Sequence, residues 1–135
     1  MELLAYAVVG LALTWGLYAA YMMFAARAAE GRPATPLYAL FPDLERRRDR
    51  ALVYCYSPRC GPCRPMSKEV AALRASGLPV YDMDVTAHPD VAQAMRVRAA
   101  PTLIVVERGE VAQMLLGVRM AAEMQALLAP DGHRR

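Results

Sequence analysis

The feature that most constrains this chain is Cys60-Gly61-Pro62-Cys63, set where a strand-like run, Ala51 to Tyr56, hands over to a helix-like run, Met66 to Ala75. Two cysteines three apart at the start of a helix share a face and lie close enough to close a short disulfide. Cys60 would also sit in the positive field at the helix N-terminus, which favours thiolate over thiol. Such a pair is a device for thiol–disulfide exchange, although a lone C-x-x-C serves equally as half of a zinc site. Gly61 permits close backbone approach, and Pro62 lacks an N–H that the first helical turn would leave unused.

The downstream pattern narrows the choice. A strand at Val80 to Asp84 precedes a helix from Asp90 to Val97. Then come Ala99-Ala100-Pro101-Thr102, an apolar run from Leu103 to Val106, a turn at Arg108-Gly109, a strand from Glu110 to Leu116, Gly117, and a last helix from about Arg119 to Ala129. Alternating strands and helices of this kind read as an α/β domain with a mixed sheet. In order and spacing, Ala51 to Ala129 resembles thioredoxin, through Cys-Gly-Pro-Cys and the later Ala-Pro-Thr before a strand. The resemblance implies a thioredoxin-like fold. Cys60 would be the exposed nucleophile, Cys63 the resolving cysteine, and the Cys60–Cys63 disulfide the redox centre without further cofactor. It implies that Pro101 is cis and faces the cysteines, so that the Ala100 backbone can pair with an extended substrate segment beside Gly61, Pro62 and Gly117.

Three positions depart from the family pattern. Arg59 stands where a tryptophan is common; its guanidinium should lower the Cys60 pKa and favour acidic partner surfaces. Tyr54 replaces a buried carboxylate that accepts the proton of the resolving cysteine, and a phenol with an ordinary pKa near 10 takes that proton poorly at neutral pH. Val80 replaces the lysine that partners that carboxylate. A narrow, dedicated partner fits these losses better than a broad pool of substrates.

The apolar content, 56% of 135 residues, is concentrated at the N-terminus. No charge falls between Leu3 and Ala26, a stretch long enough as a helix (about 36 Å) to cross a bilayer core of roughly 30 Å. A signal peptide opens on basic residues and has a shorter apolar core; this chain opens on Glu2, so an uncleaved anchor is expected. Residues 1–27 thus read as a transmembrane anchor, 28–50 as a linker with a short helix, 51–130 as the thioredoxin-like domain and 131–135 as a polar tail. Arg27, Arg32 and Arg46 to Arg48 follow the helix and no basic residue precedes it, which places the domain on the cytoplasmic side of the inner membrane. The periplasmic side is the alternative, because many anchored thioredoxin-like proteins of bacteria resemble periplasmic reductases, although those usually carry basic residues ahead of the anchor and this chain does not. Gly31, Pro33, Pro36 and Pro42 break up the linker, and the arginines from Arg46 to Arg50 read either as a solvated helix face or as a surface for anionic lipid.

The remaining signals are weaker. Cys55 lies inside a strand and reads as structural. His88 precedes Pro89-Asp90 as a helix-start residue, and His133 belongs to the polar tail. No metal site is expected, since ligands would have to converge from strand, helix and distant loop. A net charge of +3 with interleaved signs argues against nucleic acid. Ala12 and Gly16, four apart, with Trp15 mid-span, hint that the anchor packs on another integral membrane protein. Two functions fit. One is a membrane-tethered thiol–disulfide oxidoreductase acting on a partner protein's disulfide. The other is an accessory subunit of a membrane complex that uses the domain for docking.

Overall fold

The computed structural model describes residues 1–129. A long helix, α1 (Glu2–Arg27), leads into a 3-10 turn (Thr35–Ala39) and a single helical turn, α2 (Asp43–Arg46). The order is then β1 (Ala51–Tyr56), α3 (Cys63–Ala75), β2 (Val80–Asp84), α4 (Pro89–Ala94), β3 (Thr102–Glu107), β4 (Glu110–Leu116) and α5 (Ala121–Leu128). The strands form one sheet in the order β2-β1-β3-β4, with β1 parallel to β2 and antiparallel to β3, and β3 antiparallel to β4. This is the mixed sheet flanked by helices that the sequence pattern implied. The expected bounds shift at helix ends: α4 stops at Ala94 rather than Val97, and α5 begins at Ala121 rather than Arg119.

Both faces of the sheet are covered, so β1 and β3 are buried almost throughout. Side chains alternate along β1, and the alternation divides the core in two. Leu52 and Tyr54 point to one side, with Met66, Val70 and Leu73 of α3 and Met124 and Leu127 of α5. Cys63, Met66, Val70 and Leu73 recur at helical spacing, which is why α3 lays one stripe on the sheet. Val53 and Cys55 point to the other side, with Val91, Ala92 and Met95 around α4.

That second side also takes in Ala29, Ala34, Leu37 and Leu44. The segment expected to be a linker is therefore a packed layer of the domain. Leu37 and Leu44 are essentially inaccessible, and complete burial of one leucine is worth about 1.5–3 kcal/mol. The segment also pairs with the open edge of β4: the Gly31 N–H donates to the Val111 carbonyl, the Val111 N–H to Arg32, and the Ala34 N–H to Gly109. The short helix stops at Arg46, Arg47 pairs with Asp49 at 3.0 Å, and Arg50 reaches Glu107 and the carbonyls of Leu127 and Ala129. The basic run is thus no continuous helix face.

The β3–β4 hairpin closes through Arg108 and Gly109, both at positive φ (53° and 78°), as a two-residue turn matching the strand twist requires. A Cβ at Gly109 would stand 2.9 Å from the Tyr38 hydroxyl, so the close packing of the N-terminal layer adds a second demand for glycine there.

Helix α1 is long and apolar enough to cross a membrane, and its candidate span, Glu2–Ala25, carries no side chain buried against the rest of the protein. Only its last turns approach the domain. Met22 and Ala25 share a narrow cleft with Met114 and Leu116, and Arg98 donates to the Tyr21 hydroxyl at 3.4 Å.

Candidate functional site

The cysteines sit at the C-terminal end of β1, where the chain leaves the sheet and turns into α3. The Cys60 N–H donates to the Ser57 carbonyl at 3.1 Å, closing the turn that carries Cys60 out of the strand. Pro62 occupies the N-cap position, and Cys63 is the first helical residue, slightly earlier than the expected start near Met66. Cys60 and Cys63 are joined as a disulfide with Cα atoms 5.3 Å apart. Their environments differ. Cys63 is 2% exposed beneath the first turn of α3, whereas Cys60 is half-buried at the rim, flanked by exposed Arg59 and Gly61. An incoming sulfur therefore has access to Cys60.

A second loop at this end of the sheet comes from later in the chain. The Ala100–Pro101 peptide bond is cis, Pro101 is buried and Ala100 half-buried. The Gly117 N–H donates to the Pro101 carbonyl at 3.0 Å. Gly117 holds φ at 93°, a region that a side chain disfavours, so glycine is required to bring the end of β4 against this loop. The Thr102 hydroxyl, fully buried, donates to the Ala99 carbonyl at 2.7 Å and fixes the same turn. A groove of about 540 Å³ opens beside this loop, lined by Ser57, Val85, Ala92, Arg98 and Ala100 among others.

Tyr54 lies beneath the disulfide, at the position where the resemblance implied a carboxylate. It is 1% exposed, and its hydroxyl donates to the Cys63 carbonyl at 2.9 Å while sharing a second hydrogen bond, also 2.9 Å, with the Ser67 hydroxyl. Burial pushes the phenol above its ordinary pKa. Tyr54 is therefore a neutral strut between β1 and α3, tied to the backbone of Cys63. Ser67 was not foreseen as part of this arrangement. Its position four residues after Cys63 in a helix places it over the same turn, and that spacing is the only signal the sequence carries for it. Val80 is buried, and nearby Arg74 instead pairs with Asp82 at the surface.

Cys55 points into the opposite half of the core from Cys60 and Cys63. Its thiol is wholly inaccessible, and burial pushes its pKa up to about 12. It is thus separated from the exchange chemistry by the sheet itself. His88 takes the N-cap position of α4 through its backbone, without a side-chain cap bond. His133 and the tail 131–135 lie outside the described residues.

A disulfide at the head of a helix, at the same end of the sheet as a cis-proline loop, can be compared with known proteins. The family model described as Thioredoxin matches residues 41–130. The chain belongs to the thioredoxin family. The thioredoxin of Listeria monocytogenes is 32% identical over 72 residues, which is 51% of this chain and 70% of that protein. The thioredoxin of Mycobacterium tuberculosis is 33% identical over 76 residues, 54% of this chain and 66% of that one. Among solved structures, oxidised mitochondrial thioredoxin 3 from Saccharomyces cerevisiae shares the fold with a TM-score of 0.56. At 24% identity it covers 66% of this chain and 86% of its own. The chain is accordingly a thioredoxin-family thiol–disulfide oxidoreductase with a Cys60–Cys63 disulfide.

Proposed function

We propose that this protein is tethered in a membrane by α1 and exchanges its Cys60/Cys63 dithiol with the disulfide of a partner protein. The observation that carries the reading is the unequal exposure of the two sulfurs at the head of α3. In the reduced protein the Cys60 thiolate attacks one sulfur of the partner disulfide, forming a mixed disulfide and releasing the partner's other sulfur as a thiolate. Cys63 then loses its proton to solvent and attacks Cys60, which expels the second partner thiolate. Two electrons pass to the partner, and Cys60 and Cys63 end as the disulfide. The helix N-terminus holds negative charge on sulfur during both steps. A partner segment laid along Ala100, between Gly117 and the Gly61-Pro62 turn, would present its sulfur to Cys60, with Arg59 at the rim to receive acidic side chains.

Tethering is supported by a 26-residue helix whose outer part touches nothing in the domain. The arginines that follow it favour a cytoplasmic domain. Trapping tests the exchange. Full-length Cys63→Ser protein in its native membrane should accumulate a reductant-sensitive adduct with its partner, and Cys60→Ser should not. Equal trapping by both variants would refute the assigned roles. A reporter fused after Arg135 tests the side, where strong alkaline phosphatase activity would reverse the orientation.

A further inference from the structure

The last turns of α1 are docked on the domain in a defined direction, and that direction fixes what the cysteines face. The segment after α1 pairs with the start of β4, Gly31 and Arg32 bonding to Val111. Moving backwards along α1, Ala25 and Met22 lie in a cleft with Met114 and Leu116, and Tyr21 receives the hydrogen bond from Arg98. The helix therefore runs alongside β4 toward its C-terminal end, where Gly117 is bonded to Pro101. Arg98 itself is three residues from Pro101, no more than about 11 Å of chain. Residues 1–20 are all exposed, and as helix they continue about 30 Å beyond this end. That length crosses a bilayer core, with Tyr18 and Tyr21 at the level where tyrosine favours the interface.

Two further features fall at the same end. Among the described residues after α1, the large apolar side chains that remain exposed are Val118 and Met120, just past β4. Arg59, Arg96 and Arg98 are exposed there too, whereas Arg46 to Arg50 precede β1 and sit at the opposite end of the sheet. Arginines beside a membrane helix are attracted to anionic headgroups.

We infer that the Cys60–Cys63 end of the domain faces the bilayer that α1 enters, and that its substrate is a cysteine pair lying close to the membrane surface in an integral membrane protein. The inference rests on the tethering and exchange just proposed, and it adds the location and class of the partner. Soluble disulfides would have to enter the gap between domain and lipid. A cysteine pair a few residues outside a membrane span would already lie at the height of Cys60. The exchange remains the two-electron transfer written above, with the reduced Cys60/Cys63 pair as donor.

The test uses the pre-reduced full-length protein in liposomes, in single turnover, with three disulfide probes. The first is a transmembrane peptide carrying a C-x-x-C disulfide about three residues beyond its span, roughly 10 Å of extended chain. In the second, a proline-rich spacer of about twenty residues holds the same disulfide up to roughly 60 Å away. The third is the soluble C-x-x-C peptide. The near disulfide should be reduced at least about tenfold faster than the far one at equal surface density, as a matched span raises effective concentration. Inserting a flexible Gly/Ser segment between Arg27 and Ala28 keeps the tether but undocks the helix. It should erase most of that preference without lowering the soluble rate. Equal rates for near and far probes would overturn the inference, and so would a preference that survives the insertion. Failure to reduce any probe, the soluble one included, would instead overturn the oxidoreductase reading and the inference with it.

Discussion

Replacing Tyr54 by Phe separates support of the site from participation in its chemistry. The substitution deletes one hydroxyl from a buried position and leaves the ring, which stacks on Tyr56 with centroids 5.5 Å apart. Two hydrogen bonds disappear, one to the Cys63 carbonyl and one shared with Ser67. Each is worth about 0.5–1.5 kcal/mol net. The Cys63 carbonyl keeps its place in the helical ladder, and the half-buried Ser67 hydroxyl can turn back toward the carbonyl four residues earlier, which is Cys63 itself. The expected loss is therefore about 1–2 kcal/mol, or roughly 4–15 °C in melting temperature for a domain of this size. Exchange should change by less than about threefold, because a neutral phenol bonded to a carbonyl accepts no proton from the thiol. The measurements are thermal unfolding by near-ultraviolet circular dichroism and single-turnover reduction of a soluble disulfide, both on full-length protein in detergent. A rate more than about tenfold lower with stability unchanged would refute the reasoning, since Tyr54 would then act on the Cys63 proton.

Reduced protein treated with limiting iodoacetamide should be alkylated at Cys60 first and at Cys55 not at all below pH 9, as peptide mapping can read, because Cys55 is sealed in the core with its pKa pushed up to about 12. The same shift makes stability fall in alkali. The unfolded chain ionises Cys55 from its ordinary 9.0 while the folded one keeps the proton. Stability is therefore complete below pH 9 and lost on the way to pH 12, by up to about 4 kcal/mol. Denaturant titrations across that range should show a shallower decline in Cys55→Ala than in the native protein. Arg50→Ala should lower the denaturation midpoint by an amount worth about 1–3 kcal/mol, because the side chain ties β3 to the end of α5 through Glu107 and two carbonyls while only 11% exposed. An unchanged midpoint would show that those bonds merely replace water.

What the sequence disclosed was local. Cys60-Gly61-Pro62-Cys63, the Arg108-Gly109 turn and the strand from Glu110 to Leu116 are read from neighbours a few residues apart, and they lie where expected. The layer from Ala29 to Leu44 was hidden. Its buried residues follow no helix or strand period, and they are held by contacts with Val106, Val111 and Met114 far along the chain. Tyr54 shows the same limit inside the site. Its replacement of a carboxylate was visible, but the carbonyl it bonds exists only once α3 is seated over β1. The docking of Tyr21 on Arg98 was equally beyond reach, since the uniform apolarity of α1 says nothing of the side on which the domain leans.

The strand-like pairing of Gly31 to Ala34 on β4 has a practical consequence for anyone expressing the domain without α1. A truncation made at residue 41, where the family match begins, would remove Ala29, Ala34 and Leu37 from the interior and leave the hydrogen-bonding edge of β4 bare. An uncovered edge is a template for pairing with another copy. Such a fragment should aggregate or dimerise through β4, whereas one starting near Ala28 keeps its own border strip and should remain monomeric. The packed residues of the domain thus begin at Ala29, just past the end of α1 and well before residue 41, where the family match begins.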